Sequence, residues 1–443
     1  MRNIPFWLAA TTLALALSQA KADDHPHQYS LQQTIDLALV NNPELGIMQA
    51  RIDQADAQLG QALASFYPEI KTSLSYQHSN NPAQAFAMII AQRRLNMASG
   101  DFNNPGFVDD YRPQVSASYA LFRGGQDYYN RQAAELNKQG SEYEQTATRN
   151  RLLNNVTTAY YAELAALDAS KVSQAASTAL KSQLQQTQAG FNAGTLLKSD
   201  LLALEVQVAE AEEAQIHAAN TIELAHSMLK TLVGLNASEP FSINTHDIPA
   251  LPQVPADFEK LLNQALAGHP ELKAAEAKIA AAEQQLAAAK AAHLPKADAF
   301  VSYGSDSKNL SYNSNQDNLT AGVMVEMALF SGFATQEKIH QAEHQLNAAQ
   351  QAARQTRLQI EHQLKTAQLN LQEALQRAEI SASAKLAAEE SFRLIELQRQ
   401  TGVVTVSRYL EAQVALDKAL NRQINARFDA LRAEAALKQA SGN

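Results

Sequence analysis

The sequence predicts a membrane β-barrel joined to an α-helical barrel, each chain supplying four transmembrane strands that continue into long coiled-coil helices. Three observations lead there. Two proline-free tracts are exceptionally long, four short segments alternate apolar with polar side chains, and an internal duplication repeats both features in the same order.

The tracts run from about Gln126 to Gln188 and from Ala334 to Gln400, and they are filled with Ala, Gln, Leu and Glu, which are good helix formers. At 1.5 Å per residue such a helix is about 90–100 Å long. A globular domain has no use for that length, so each helix is expected to run beside others in a coiled coil or helical barrel. Leu152, Val156, Tyr160, Leu164 and Leu167 lie three or four residues apart, and Leu358, Leu364, Leu371, Leu375 and Ile380 offer a looser stripe.

Alternation with a period of two marks strands over about 67–77, 113–122, 296–304 and 319–330. Ile70, Thr72, Leu74 and Tyr76 alternate with Lys71, Ser73, Ser75 and Gln77, and the other three segments follow suit, the last carrying Met327 and Leu329 on its apolar side. About ten residues is the length a tilted strand needs to cross a bilayer. The polar side carries Lys71, Lys296, Asp298 and Glu326, the candidates for a hydrated barrel lumen. A soluble β-subdomain would want a second apolar face instead. A long loop, about His78 to Arg112 with an apolar stretch from Ala83 to Ala91, joins the first pair, and a short one, about Gly304 to Asn318, joins the second.

The duplication sets the domain plan. Asn42-Pro43-Glu44-Leu45 recurs as His269-Pro270-Glu271-Leu272, Tyr67-Pro68 as Leu294-Pro295, and Leu121-Phe122-Arg123-Gly124 as Leu329-Phe330-Ser331-Gly332. The first repeat is 23–234 and the second 257–443, separated by a linker, 235–256, that holds Pro240, Pro249, Pro252 and Pro255. Each repeat opens with a helix, Leu31 to about Ser65 or about Asp257 to His293. Ser30 is placed to cap the first, and Pro43 interrupts or kinks it. Each long helix ends in a turn, 190–200 or 401–407, before a return helix, about Asp200 to Val233 or Arg408 to Leu437.

Arg2, the apolar Phe6 to Leu17 and the small-x-small Ala20-Lys21-Ala22 make 1–22 an export signal peptide. The chain has 443 residues and no Cys, which excludes disulfides, thiolate metal sites, a cysteine nucleophile and a lipidated N-terminal Cys. A formal charge of −9 disfavours nucleic acid as a partner. No phosphate-binding loop, His-Glu-x-x-His or Gly-x-Ser-x-Gly motif occurs, so no cofactor, metal or enzymatic chemistry is expected, and His340 with His344 reads as a solvated helix face. Four strands are too few for a barrel, and an unclosed edge in lipid costs several kcal/mol per unpaired backbone group. Several chains must therefore combine, and strand arithmetic allows eight from a dimer or twelve from a trimer.

In the order, duplication and spacing of these motifs, together with Gly190-Phe191-Asn192-Ala193-Gly194 through Asp200, the chain resembles the TolC-like outer membrane factor (outer membrane efflux protein) family over essentially its whole mature length. The resemblance implies a homotrimer with a 12-stranded barrel in outer-membrane lipid, a 12-helix periplasmic barrel and an entrance gated by helical hairpins. It also implies docking of a periplasmic adaptor (membrane fusion) protein and an inner-membrane RND or ABC pump, for efflux or for type I secretion. By the same resemblance the gate falls on Asp200, Arg408 and Glu411. Glu411 keeps the family's acid, whereas Arg408 departs from it and is expected to pair with Asp200 or Glu411 across neighbouring hairpins. Adaptor contact falls on Gly190, Gly194, Thr195, Leu196, Gly402 and Val403. The transported substrate, whether drug, metal or protein, is not written in the chain. The rival reading, a non-conducting periplasmic coiled-coil scaffold or adhesin-like fibre, has no use for four amphipathic strands.

Overall fold

The computed structural model describes residues 28–98, 101, 103–246, 248–255, 257–401 and 403–442. The expected signal peptide, 1–22, and Gly402 lie outside the described residues. In chain order the helices are α1 (Leu31–Asn41), α2 (Pro43–Ala64), α3 (Pro82–Ala91), α4 (Gln126–Asn192), α5 (Lys198–Val233), α6 (Phe258–Gly268), α7 (Pro270–Ala291), α8 (Ala334–Gln400) and α9 (Val406–Ala440). The strands are β1 (Gln28–Tyr29), β2 (Glu69–Ser79), β3 (Val108–Phe122), β4 (Ser242–Ile243), β5 (Lys296–Ser305) and β6 (Asp317–Glu326). Helices of 11, 22, 67 and 36 residues recur as helices of 11, 22, 67 and 35.

Local chemistry explains the breaks. Ser30 caps α1 in a reciprocal box with Gln33, its hydroxyl accepting from the Gln33 amide while the Gln33 side chain accepts from the Ser30 amide. Pro43 and Pro270 then force the preceding Asn42 and His269 into extended conformation, so each opening helix is two helices. His269 caps α7, its Nδ1 accepting from the Glu271 amide at 3.3 Å, and burial pushes its pKa below the ordinary imidazole value. The return helices end in glycines that dock on these breaks. Gly234 has φ +83°, and a Cβ there would lie 2.5 Å from the Asn41 carbonyl oxygen; Gly442, at φ +87°, sits likewise against His269.

Among the described residues the chain forms two compact units. One comprises residues up to Pro43, Arg151–Val254 and Ala367–Lys438. Its core includes Val156, Tyr160 and Leu164 of α4, Leu229 and Val233 of α5, and Phe428 and Leu431 of α9. Here part of the linker is tied down: β4 pairs in parallel with β1, Tyr160 donates to the Asn244 carbonyl at 2.9 Å, and Lys230 donates to the carbonyls of Ala237 and Glu239 at 2.7 and 2.5 Å. The buried seam of α8 runs Ile360, Leu364, Ala367, Leu371, Ala374, Ala378, Ser381, in strict alternating steps of four and three. Leu358 and Ile380, expected on this stripe, fall out of its phase and are exposed.

The other unit comprises Glu44–Asn150, Pro255–Thr366 and the last residues, and it holds a four-stranded antiparallel sheet in the order β2-β3-β5-β6. Two strand boundaries differ most from the sequence expectation. β3 starts at Val108 rather than 113, because Pro113 falls where the β3–β5 ladder is already interrupted, between Gln114↔Gly304 and the isolated Tyr111↔Ser307 bridge. β6 stops at Glu326, so Met327 and Leu329 are not strand residues: Glu326 pairs with Lys296, and Pro295 leaves nothing beyond it to pair with. The long loop contains α3, capped by Asn81 and opened by Pro82.

Candidate functional site

Two regions concentrate the residues singled out by sequence: the hairpin tips of the first unit and the sheet of the second. At the tips α4 runs on to Asn192 and α5 begins at Lys198, which shortens the expected turn 190–200. The Thr195 amide and hydroxyl both donate to the Gly190 carbonyl at 2.9 Å, and Leu196 folds back so closely that a Cβ on Gly190 would lie 2.7 Å from its Cδ1. Gly194 takes φ +74°, the left-handed conformation the turn needs. Leu197 next to this turn and Val403 in the second are 68% and 77% exposed.

Beneath the turns the two hairpins share a core of Leu180, Leu204, Val208, Ile395, Val406, Tyr409 and Leu410, drawn from α4, α5, α8 and α9. Sequence reasoning missed the polar contact that crosses it. Arg399 lies 4.7 Å over the ring of Tyr409, and its guanidinium donates to the Gln183 side chain of α4, which in turn donates to Thr187 at 3.0 Å. Burial pushes the Arg399 pKa down and the Tyr409 hydroxyl up. An arginine stays charged in a protein regardless, so a half-buried cation is held by a ring face and a neutral amide. The only local cue in the sequence is that Arg399 is basic in the last turn of α8, where the helix dipole favours it, and this does not point to its partners.

The expected gate residues take no part in this contact. Arg408 pairs with Glu411 on its own helix at 3.0 Å, both side chains well exposed, and Asp200 occupies the first turn of α5. Farther along α9 the half-buried Asp417 accepts from Gln413 at 2.9 Å, yet desolvation outweighs that bond and raises its pKa to about 6.

The register of the sheet places Lys71, Lys296, Asp298 and Glu326 on one face, together with Glu69, Ser73, Ser116, Ser118, Ser302 and Thr320. Lys71 pairs with Glu69 at 2.9 Å, Asp298 lies 3.7 Å from Arg123, and Lys296 stands opposite Glu326. The opposite face presents Ile70, Leu74, Val115, Val301, Leu319, Val323 and Val325, all at least 40% exposed in the single chain. Tyr76, Tyr111 and Tyr303 gather toward one end of that face. Both edges, β2 and β6, are open. Among the described residues no helix is long and apolar enough to cross a membrane, and no cluster of His, Asp and Glu is arranged to hold a metal ion.

The chain, with a sheet polar on one side and apolar on the other and two helices of 67 residues, matches a known family model described as Outer membrane efflux protein over residues 34–235 and 261–443. The chain belongs to the outer membrane efflux protein family. It is 22% identical over 428 residues to outer membrane protein TolC of Escherichia coli K12, covering 93% of this chain and 82% of that one. It is 24% identical to the alkaline protease secretion protein AprF of Pseudomonas aeruginosa, covering 100% of this chain and 89% of the relative. The fold of the family is shared with solved channels: the Campylobacter jejuni CmeC outer membrane channel superposes with TM-score 0.81 at 17% identity, covering 93% of this chain and 85% of that one. The open state of Neisseria gonorrhoeae MtrE gives 0.76 at 19% identity, covering 93% and 89%.

Proposed function

We propose that the chain is one protomer of a homotrimeric exit duct in the outer membrane of a Gram-negative cell, passively conducting solutes delivered by machinery that spans the periplasm. The single observation that carries this reading is the two-faced sheet with two open edges. Its apolar face suits lipid and its polar face suits water, but an open edge in lipid leaves backbone groups unpaired. Closure with other copies removes the edges, and three copies supply twelve strands, an even number within the range of outer-membrane barrels. Lys71, Lys296, Asp298 and Glu326 then face the bore. The apolar side chains off the α8 seam, Leu358, Ile380 and Leu386, supply contacts for neighbouring helices in a periplasmic barrel.

The helical tips form the entrance in this reading. Asp200, Arg408 and Glu411 surround it, and the Arg399–Gln183–Tyr409 contact holds the two hairpins of a protomer together in the closed state. Gly190, Gly194, Thr195, Leu196, Gly402 and Val403, with exposed Leu197, meet the tip of a periplasmic adaptor protein, which links the duct to an inner-membrane RND or ABC pump. Energy comes from that pump. The family model is described as an efflux protein and one named relative is a protease secretion protein, so either kind of assembly fits.

Planar-bilayer recording tests this. Detergent-purified protein is expected to give discrete conductance steps, and Arg399→Ala, which removes the cross-hairpin contact while sparing the Leu204 core, is expected to raise the open conductance several-fold. Absence of steps from both proteins contradicts the duct.

A further inference from the structure

The loop between β2 and β3 folds inward rather than standing clear of the sheet. Ala85 and Met88 of α3, both at most 5% exposed, pack on Val108. Val108 is the β3 partner of Ser79, and by strand alternation it lies on the face that carries Asp110, Arg112, Ser116 and Lys71, the polar one. The far end of the helix is tied down twice. Gln92, fully buried, donates to the Asp109 carbonyl at 2.7 Å and to the Asp110 carboxylate at 2.9 Å. On the other side, the Gln92 carbonyl accepts from Gln316 at 2.8 Å, and Arg93 donates to the Asp317 carbonyl at 2.9 Å. Asp317 opens β6, which is separated from β3 by β5. The segment is therefore laid across the polar face at the end of the strands remote from α4 and α8. An Arg112–Asp306 ion pair (2.5 Å) and an Asn318–Asp306 hydrogen bond (2.7 Å) underlie it.

We propose that α3 is an exit plug: in the closed barrel it lies within the bore, and its exposed side, Ala83, Ala87 and Ile90 followed by Arg94, lines the last constriction that solutes pass. This rests on the homotrimeric duct described above. In a threefold assembly each face residue appears three times around the axis, so a narrow ring of small and apolar side chains, edged by arginines, sets the size of what leaves. Ile90 is 47% exposed although it belongs to an apolar helix, as a side chain facing a water-filled channel would be. Arg93 and Arg94 donate to neutral oxygens, the Asp317 carbonyl and the Gln92 side chain, and form no ion pair among the described residues. Hydrophobic and charged rings of this kind are the usual elements of pore selection.

The absence of native cysteine makes the test clean. Ala87→Cys, and Leu74→Cys on the apolar face as a control, are reconstituted in planar bilayers and treated with a bulky cationic thiosulfonate, with labelling quantified by mass. The plug predicts that labelled Ala87→Cys loses conductance by about twofold or more, while Leu74→Cys is unchanged. A second variant, with Pro82–Arg94 replaced by a short Gly-Ser turn, is expected to conduct more than the parent. Complete labelling of Ala87→Cys at unchanged conductance overturns the plug and leaves the duct standing; absence of conductance from the unlabelled parent overturns both.

Discussion

Asp417 shows how one side chain reports its surroundings. Its pKa is pushed to about 6 because α9 carries it into a partly desolvated setting with one neutral hydrogen-bond donor, Gln413. A carboxyl whose folded pKa lies above the ordinary 3.8 binds its proton more tightly in the native state. Its stabilising contribution is thus fully present below pH ~4, is lost as pH rises toward about 6, and stays lost above. Asp417→Asn is expected to raise stability by roughly 1–2 kcal/mol at pH 8, after allowance for partial solvent screening, and to change little at pH 4. Thermal melts at the two pH values check this; equal shifts at both would show that desolvation of the charge is not the cause. The tip charges behave differently. Arg408 and Glu411 stand three residues apart on an exposed helix, a spacing that pairs them locally, and such a pair contributes only a few tenths of a kcal/mol. Arg399 was harder to read from sequence, because its partners Gln183 and Tyr409 lie on two other helices and nothing in its neighbours announces them.

At the scale of elements, periodicity carried most of the information. Proline-free tracts give the long helices, Pro43 and Pro270 give the breaks, and period-two alternation gives four strands with a mainly polar side, interrupted by Phe300 and Met324. The strand ends were less legible because they depend on partners: β6 stops where Pro295 ends β5, which no local pattern in Asp317–Glu326 reveals. α3 was hidden for another reason. Ten residues of Pro-Ala-Gln-Ala-Phe-Ala-Met-Ile-Ile-Ala between Asn- and Gly-rich flanks are too few for a helical period to stand out, and its stability comes from packing on Val108 and from Gln92. The two faces of the sheet give a direct comparison. Leu74→Lys, on the apolar face, is expected to cost about 2–4 kcal/mol in lipid and to abolish heat-stable assembly, whereas the adjacent Ser73→Lys, on the polar face, is tolerated. Equal effects of the two substitutions, measured by mobility of unheated samples in mild detergent, would mean that the faces are assigned wrongly.

The whole molecule is organised by what one chain lacks. Its sheet has two open edges and a lipid-suited face, its long helices carry apolar side chains outside their own seams, and its tips expose Leu197 and Val403. In the proposed assembly each of these is covered by neighbours: other copies for the sheet and helices, an adaptor for the tips. Duplication suits this proposal, since each repeat contributes a strand pair, a long helix and a return helix, so the proposed three chains would give six near-equivalent parts around a single axis. The count of chains is the point on which sequence, with its choice between eight and twelve strands, is silent. It is also the point on which the duct depends. Native mass spectrometry of the mature protein in detergent measures it most directly: the account predicts a complex of three chains that requires detergent to stay in solution, and a monomer that remains folded and soluble in water alone would contradict it.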